Sequence, residues 1–173
     1  MTRTLHWLFC VALGAAAVHV AALVALPYVV MGRLIVEQTR DAGQNVFAHS
    51  ALPTAEWHER VRPSPDLAYS SAVFDVRKRP LHVLVPVTEP YTALAGFALN
   101  TDNFFVENDR TADGPTIDLV LVGPSTPREG LAGLRVVESP SDWGVLLVRR
   151  VVPSETAFVA IDDVRRRSRV EFR

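Results

Sequence analysis

The first thirty residues lack the alternation of polar and apolar positions that is typical of a surface element. Between Trp7 and Met31 there is no Asp, Glu, Lys or Arg. An α-helix rises about 1.5 Å per residue, so Trp7–Leu26 alone would span roughly 30 Å, the thickness of a bilayer core. Pro27 interrupts the run only near its end, where a helix break costs little. The pattern predicts a transmembrane anchor over residues 1–33.

Two other interpretations of this run stay open. A cleaved signal peptide has an apolar core of about 7–15 residues that ends at small residues. Ala15-Ala16-Ala17 could be such a site, although the apolar run continues well beyond it. A buried helix of a soluble domain would usually show a polar stripe, which this run lacks. Arg3 on one side and Arg33 and Arg40 on the other nearly balance the positive-inside count. The short tail before a long domain is typical of a signal anchor, with the tail inside and the domain outside.

The next segment has a different character. Leu34 to about Ala48 carries apolar positions separated by polar ones and predicts a short helix, which Gly43 weakens. Residues 53–65 contain three prolines and no clear period, as a linker does. We therefore expect a juxtamembrane helix and linker over residues 34–61.

From residue 62 onward, short β-type runs alternate with turns that contain Pro and Gly. In Leu81–Val87 the apolar positions alternate, and Ile117–Val122 is a nearly continuous apolar run that predicts a central strand. Seven strands are predicted in all: Leu67–Val76, Leu81–Val87, Tyr91–Leu99, Phe104–Glu107, Ile117–Val122, Leu134–Glu138 and Trp143–Val151. Short strands at this close spacing predict an antiparallel β-sandwich or jelly-roll-like domain.

The chain closes with a helical pattern over Glu155–Arg169, for which Ser154 is a suitable N-cap. Acidic residues precede basic ones along it, which suits the helix dipole. We interpret the basic run Arg165-Arg166-Arg167 as a solvated helix end, with contact to anionic lipid as the alternative. The fold class is therefore mainly β, α+β overall, with a β-rich domain over residues 62–173 and a C-terminal helix.

Composition excludes several classes of function. From Leu34 onward the chain keeps all 19 acidic residues and 16 of the 18 basic ones, a net charge of about −3, which argues against a nucleic-acid surface. Cys10 lies in the apolar run, so the remainder has no cysteine for a disulfide or a metal. His49, His58 and His82 are not at the spacings of metal ligands. The chain also lacks the motifs of nucleotide loops, nucleophile elbows and zinc proteases. We predict no catalytic residue, no metal and no cofactor.

Two polar stretches are the candidate sites. In RPSPDLAY, residues 62–69, two prolines keep the backbone extended and place Asp66 and Tyr69 at the entrance of a strand. Asp66 is expected to accept backbone N–H groups and hold the turn. Alternatively, Arg62, Asp66 and Tyr69 line a pocket, in which Tyr69 supplies a hydroxyl and Arg62 a charge.

The second stretch, NTDNFFVENDR at residues 100–110, sets carboxamides and carboxylates around two phenylalanines. Asn100, Asn103 and Asn108 could hold a small polar ligand. The same density of side chains can equally stabilise a loop through its own hydrogen bonds, which is the commoner case.

The order of these stretches resembles a known family. RPSPDLAYSSAVFDV is similar to a motif of the bacterial domain of unknown function 1254, in which an Arg-Pro-Asn-x-Asp-Thr-x-Tyr-Ser type stretch precedes a strand. LHVLVP, EPYTALAGFALNTDNFFVEND, TIDLVLVGP and VVESPSDWGVLLVRRVV follow in the family's order. The resemblance extends over residues 62–152, with short, singly anchored members in particular. Ser64 and Leu67 stand where the family motif has Asn and Thr.

The resemblance implies a β-rich sandwich or jelly-roll fold and no established activity. From the signal-anchor orientation we expect the protein in the bacterial inner membrane, with its domain in the periplasm. Larger members pair this domain with a second one, the domain of unknown function 1214, which a chain of 173 residues is too short to contain. Our first hypothesis is a membrane-anchored envelope protein, more a binder than an enzyme, whose β-domain binds a separately encoded 1214-type partner. The rival hypothesis is an enzyme or small-ligand binder built from the Arg62–Tyr69 and Asn100–Arg110 segments.

Overall fold

The computed structural model of the chain describes residues 2–54 and 63–173. Its elements in order are α1 (Thr2–Ala42), β1 (Ala48–His49), β2 (Leu67–Asp75), β3 (Leu81–Pro86), β4 (Thr92–Ala98), β5 (Asn103–Asn108), β6 (Thr116–Val122), β7 (Val136–Glu138), β8 (Trp143–Val151), α2 (Glu155–Arg165) and β9 (Arg169–Phe172). The expected fold class is confirmed, since a long apolar helix precedes a β-rich domain with a helix near its C-terminus.

α1 is longer than the sequence pattern indicates. The helix continues through Pro27 and through residues 34–42, which we expected to form a separate helix. It ends at Gly43, whose φ of 91° lies in the left-handed region that favours glycine. The N–H of Gly43 donates to the carbonyl of Thr39 at 2.9 Å, as in a helix C-cap. The anchor and the juxtamembrane helix are therefore one continuous rod.

The strands form two sheets. A five-stranded sheet has the order β1-β2-β8-β4-β5, and a four-stranded sheet has the order β7-β6-β3-β9. Neighbouring strands are antiparallel except β6 and β7, which are parallel because the loop between them carries the chain back along the sheet. All seven expected strands are present, and β6 lies inside its sheet as a continuous apolar run requires.

The core lies between the two sheets, as in a sandwich. Alternate side chains of the central strands point inward and are buried; they include Phe74, Leu94 and Leu146 from the larger sheet and Val83, Leu119 and Leu121 from the smaller one. Phe74 packs edge-on against Phe104, with ring centroids 6.2 Å apart. The outer face of the larger sheet is partly covered by α1.

The chain end differs from the sequence prediction in one respect. Ser154 caps α2 as expected, since its hydroxyl accepts the N–H of Ala157 at 3.2 Å. However, α2 ends at Arg165, and Arg169–Phe172 forms strand β9, which pairs with β3. This exposed strand was missed because its pairing with a distant strand, rather than its local pattern, makes it extended. The expected linker falls largely on residues 55–62, outside the described residues.

Candidate functional site

α1 has the dimensions of a membrane span. It is long and apolar enough to cross a membrane, and its most apolar stretch is not buried against any other element that the structure describes. Trp7 and Tyr28 stand near the two ends of that stretch and are exposed. At about 1.5 Å per residue they are roughly 30 Å apart, the spacing of the two aromatic belts of a bilayer.

The end of α1 that follows the span packs on the sandwich. Met31 and Ile35, one helical turn apart, are 6% and 7% exposed and contact Val73 of β2 and Val145 of β8. Leu34 contributes to the same cluster, and Gln38 continues the buried stripe. The i, i+4, i+7 spacing of this stripe is that of one face of a helix. α1 is thus joined to the β-sandwich, which we call the head, by side-chain packing as well as by the peptide chain.

The first predicted stretch forms a turn held by Tyr69. Its hydroxyl accepts the N–H of Ser64 at 3.0 Å. The exposed Asp66 uses its backbone carbonyl to accept the N–H of Val152 at 2.8 Å, while its carboxylate makes no hydrogen bond to the described residues. The expected role of Asp66 as acceptor for the turn is therefore taken by Tyr69. Arg62 lies outside the described residues.

The second stretch is largely satisfied by itself. Asn100 bonds the carboxylate and the N–H of Asp102 at 2.6 and 3.2 Å, and Asn103 donates to two backbone carbonyls. The Asn108 side chain accepts the N–H groups of Arg110 and Thr111 at 2.9 and 3.2 Å. These hydrogen bonds are the ones expected if the stretch is stabilised by its own side chains rather than arranged to hold a ligand.

Sheet pairing nevertheless places one residue of each stretch on the same outer face. Tyr69 pairs with Arg149, Arg149 with Ala93, and Ala93 with Asn108. Strands are about 4.8 Å apart, so Tyr69 and Asn108 are separated by roughly 14 Å, with Arg149 between them. Asn100 and Asn103 lie toward the opposite end of β5, so the structure unites only part of the predicted set.

A second polar group, which the sequence analysis did not identify, lies on the inner side of the same sheet. We call it the arginine cluster; its members are His49, Ser70, Arg150, Asp162, Arg165 and Ser168. Arg150, on β8, is 0% exposed. Its Nη2 donates to the carbonyl of Pro86 at 2.8 Å and to the hydroxyl of Ser168 at 3.2 Å. Its Nε and Nη1 are buried and have no hydrogen-bond partner in the described chain.

Arg165 reaches the cluster from α2 and is 2% exposed. Its Nε donates to Asp162 at 2.6 Å, its Nη1 donates to the carbonyl of Tyr69 at 3.1 Å, and its guanidinium lies 5.1 Å from the centroid of the Phe158 ring. We expected Arg165 in a solvated helix end, and that expectation is wrong. Arg165 follows Ile161 by four residues, so it falls on the buried stripe of α2, whereas Arg166 is exposed.

The cluster has a positive electrostatic field. Burial, and then the charge of Arg165, lower the pKa of Arg150 to about 10. Burial also lowers the pKa of His49 to about 4, assisted by the charges of Arg165, Arg166 and Arg150 against the smaller opposing effect of Asp162. Asp162 is the carboxylate of the cluster, and it is bound to both Arg165 and Arg166. His49 is therefore neutral at pH 7, and Arg150 is not neutralised by a carboxylate among the described residues.

His49 and Ser70 of the cluster are poorly suited to nucleophilic catalysis. His49 Nδ1 lies 2.8 Å from the Ser70 hydroxyl, the contact of a nucleophile with its base. A histidine with a pKa of about 4 is a weak base at pH 7, and Ser70 is only 1% exposed. Over the ranges that the structure covers, no group of three or more metal-ligating side chains is found. Guanidinium N–H groups in a positive field are suited to an anion.

The alternation of β8 could have revealed Arg150 in the sequence. Leu146 and Val148 face the core, so the next position of that parity, Arg150, must do so too. The adjacent Arg149 faces outward. Residue type alone does not show which of two consecutive arginines is buried. The alternation of side chains along the strand does show it.

The fold and its helix together define a β-sandwich domain carried by an N-terminal helix that could span a membrane. The model of the family described as protein of unknown function (DUF1254) matches residues 44–171, well over half of the chain. The chain belongs to this family. No curated protein matches the chain.

Two solved structures have a similar fold. The VPA0106 protein from Vibrio parahaemolyticus has a TM-score of 0.66 at 16% identity, over 86% of this chain and 35% of that one. An uncharacterised protein from Burkholderia cenocepacia has a TM-score of 0.51 at 18% identity, over 89% of this chain and 42% of that one. The chain thus corresponds to less than half the length of either protein, and the likeness at this identity concerns the fold alone.

Proposed function

We propose that this protein is a membrane-anchored binder whose β-sandwich head is held in a fixed orientation beside the bilayer and binds a partner protein there. The observation that supports it is the continuity of α1, which runs from the apolar span into its packing contact with the sheet without an intervening loop. The protein is proposed to act through binding rather than through catalysis.

The geometry leaves little slack between membrane and head. Tyr28 lies near the end of the apolar stretch, and Met31, three residues further on, already contacts the sandwich. Three residues of helix correspond to about 4.5 Å. Since a helix resists bending and its end is docked, the head cannot turn freely. A head held in this way has less orientational freedom to lose when it binds a partner in the same membrane.

The proposed partner is a separately encoded protein of the 1214-type family, and the proposed location is the periplasmic side of the bacterial inner membrane. The family resemblance supports the partner, since larger members combine the two domains in one chain, and the apolar helix α1 supports the membrane location. Alkaline phosphatase fused after Arg173 is expected to be active; activity of a cytoplasmic reporter alone would contradict the orientation.

Partner binding can be tested by co-purification from membranes after co-expression with a 1214-type protein. The wild-type chain is expected to retain the partner at a constant ratio through two affinity steps. Ile35→Asp places a charge in the docking contact and is expected to lower that ratio. Val36→Asp is the matched control, because Val36 is the adjacent residue and is 68% exposed.

Two results would contradict the proposal in different ways. If the wild-type chain retains no partner, the binding function is wrong. If Ile35→Asp and Val36→Asp retain it equally, binding does not depend on the fixed orientation. A thermal unfolding curve of each variant establishes that the head is folded before the ratios are compared.

A second candidate function is the binding of a small polar ligand on the outer face of the larger sheet. The observation that favours it is the row that contains Tyr69, Arg149 and Asn108. Tyr69→Phe and Asn108→Ala should both weaken the binding of such a ligand. If only Tyr69→Phe has an effect, and that effect is on stability, the hydroxyl serves the turn at Ser64 and not a ligand.

A further inference from the structure

Among the described residues, Arg150 is a buried charge with no carboxylate partner. The side chain is fully buried, and the two hydrogen bonds that it makes, to Pro86 and Ser168, both involve Nη2 and neutral acceptors. Nε and Nη1 remain unpartnered within the described ranges. Burying a guanidinium without a counter-charge is strongly unfavourable, so proteins usually pair such a group or replace it with an apolar one. The free N–H groups of Arg150 are therefore able to donate to an acceptor from outside the chain.

The neighbouring charges raise that cost further. Arg165 is also buried, and its carboxylate partner, Asp162, is shared with Arg166. If Asp162 balances Arg165, the charge of Arg150 is left over inside the sandwich. Burial is the main cause of the lowered pKa values of His49 and Arg150, and the charge of Arg165 lowers both pKa values further.

We propose that the arginine cluster binds a small oxyanion, the carboxylate or phosphate group of a small molecule, and that Arg150 makes the main contact with it. The free N–H groups of Arg150 donate to the oxyanion, whose negative charge offsets the charge left over in the sandwich. His49 is neutral and keeps one ring nitrogen beyond its contact with Ser70, so it can donate a further hydrogen bond.

The burial of the cluster limits the size and the route of the ligand. Arg150, Arg165, Ser70 and Ser168 are buried, whereas His49 and Asp162 are only partly so. The anion therefore enters at His49, where β1 forms the edge of the sheet next to α2. A single carboxylate or phosphate group fits this description better than an extended ligand, because most of the cluster is enclosed by protein.

The test uses the full-length protein in lipid nanodiscs and two probes, sodium phosphate and sodium acetate, against sodium chloride at equal ionic strength. Calorimetric titration and the melting temperature of the head are measured for each. We expect saturable binding and a rise in melting temperature with at least one oxyanion. A response to phosphate alone identifies a phosphoryl ligand and a response to acetate alone a carboxylate; a response to neither, beyond that to chloride, overturns the proposal.

Two arginine variants give the comparison. Arg150→Met removes the buried guanidinium and is expected to weaken oxyanion binding at least tenfold. Arg128→Met removes an exposed arginine that lies outside the cluster and should leave oxyanion binding within twofold. Equal affinities of the two variants would place the anion elsewhere and overturn the assignment.

A third variant keeps the test decisive if Arg150→Met does not fold. His49→Phe removes a partly exposed side chain at the proposed entrance and is expected to weaken the anion severalfold. The titration of His49, followed by NMR, provides a readout that a purely structural role would not move. A bound anion favours the imidazolium and should raise its pKa, whereas an unchanged pKa at saturating oxyanion would contradict contact with His49.

Discussion

Replacing Ile35 with alanine tests whether the contact between α1 and the sandwich stabilises the head. Ile35 is 7% exposed and lies in the cluster with Met31, Val73 and Val145. The substitution removes three buried carbon atoms and leaves a space between the helix and the sheet. Substitutions of this kind cost about 2–5 kcal/mol in a closed core. The contact has the sheet on one side only, so we expect about 2–3 kcal/mol.

The control is Val36→Ala, one residue further along the helix. Val36 is 68% exposed, so it buries little surface against the head and its loss should cost less than about 0.5 kcal/mol. Any general effect of alanine on the helix, or of the detergent on the anchor, is common to both variants. The difference between the two therefore measures the docking contact.

The assay is thermal unfolding of the full-length protein in detergent micelles, followed by intrinsic fluorescence. For a protein of this size, about 1 kcal/mol corresponds to roughly 2–4 °C, so Ile35→Ala should melt about 5–10 °C below wild type. Spin labels at Glu37 and Asp118, in a Cys10→Ala background, should give a narrow distance distribution that broadens in Ile35→Ala. Equal melting temperatures and equally narrow distances for Ile35→Ala and Val36→Ala would refute the stabilising contact.

The remaining predictions concern single sites in the head. Gly144→Ala should destabilise the protein by about 3 kcal/mol in denaturant titrations, because an added Cβ would collide with the Phe97 carbonyl oxygen, whereas Gly114→Ala, with open space around it, should be near neutral. Ser154→Ala removes the N-cap of α2 and should cost about 1 kcal/mol, with no change in the cooperativity of unfolding. The pKa of His49 is about 4 when folded, below its ordinary value of 6.5, so the unfolded state binds the extra proton between these values. Its contribution to stability should be complete above pH 6.5 and lost as the pH falls toward 4, and this part of the pH dependence should disappear in His49→Asn.

The local pattern of apolar and polar residues predicted most of the strands, because buried positions recur regularly along each of them. In Leu81–Pro86 every second residue faces the core, and in Thr116–Val122 the apolar run fills the middle of a sheet. The two short strands β1 and β9 have no such repeat. β9 is largely exposed and is extended because it pairs with β3, far away in the sequence. Pairing of this kind is not encoded in a window of a few residues.

The candidate site was harder to predict than the fold for the same reason. The sequence draws attention to polar stretches, and the structure shows the Asn100 and Asn108 side chains engaged in their own loops. Arg150 and Arg165 come together from β8 and α2 only when the sandwich closes. The chain has 17 arginines, and the sequence alone does not distinguish a buried arginine from an exposed one.

Length, period and capping act over one element at a time, so the amino-acid sequence predicts the apolar helix, the β-rich head and the capped helix near the end. The packing of these elements was needed to show that the apolar helix continues onto the sheet through Met31 and Ile35, and that Arg150 faces inward. Both follow from contacts between elements that are distant in the chain. The energy of such contacts depends on which surfaces meet, and that is settled only when the two sheets and the helix have packed.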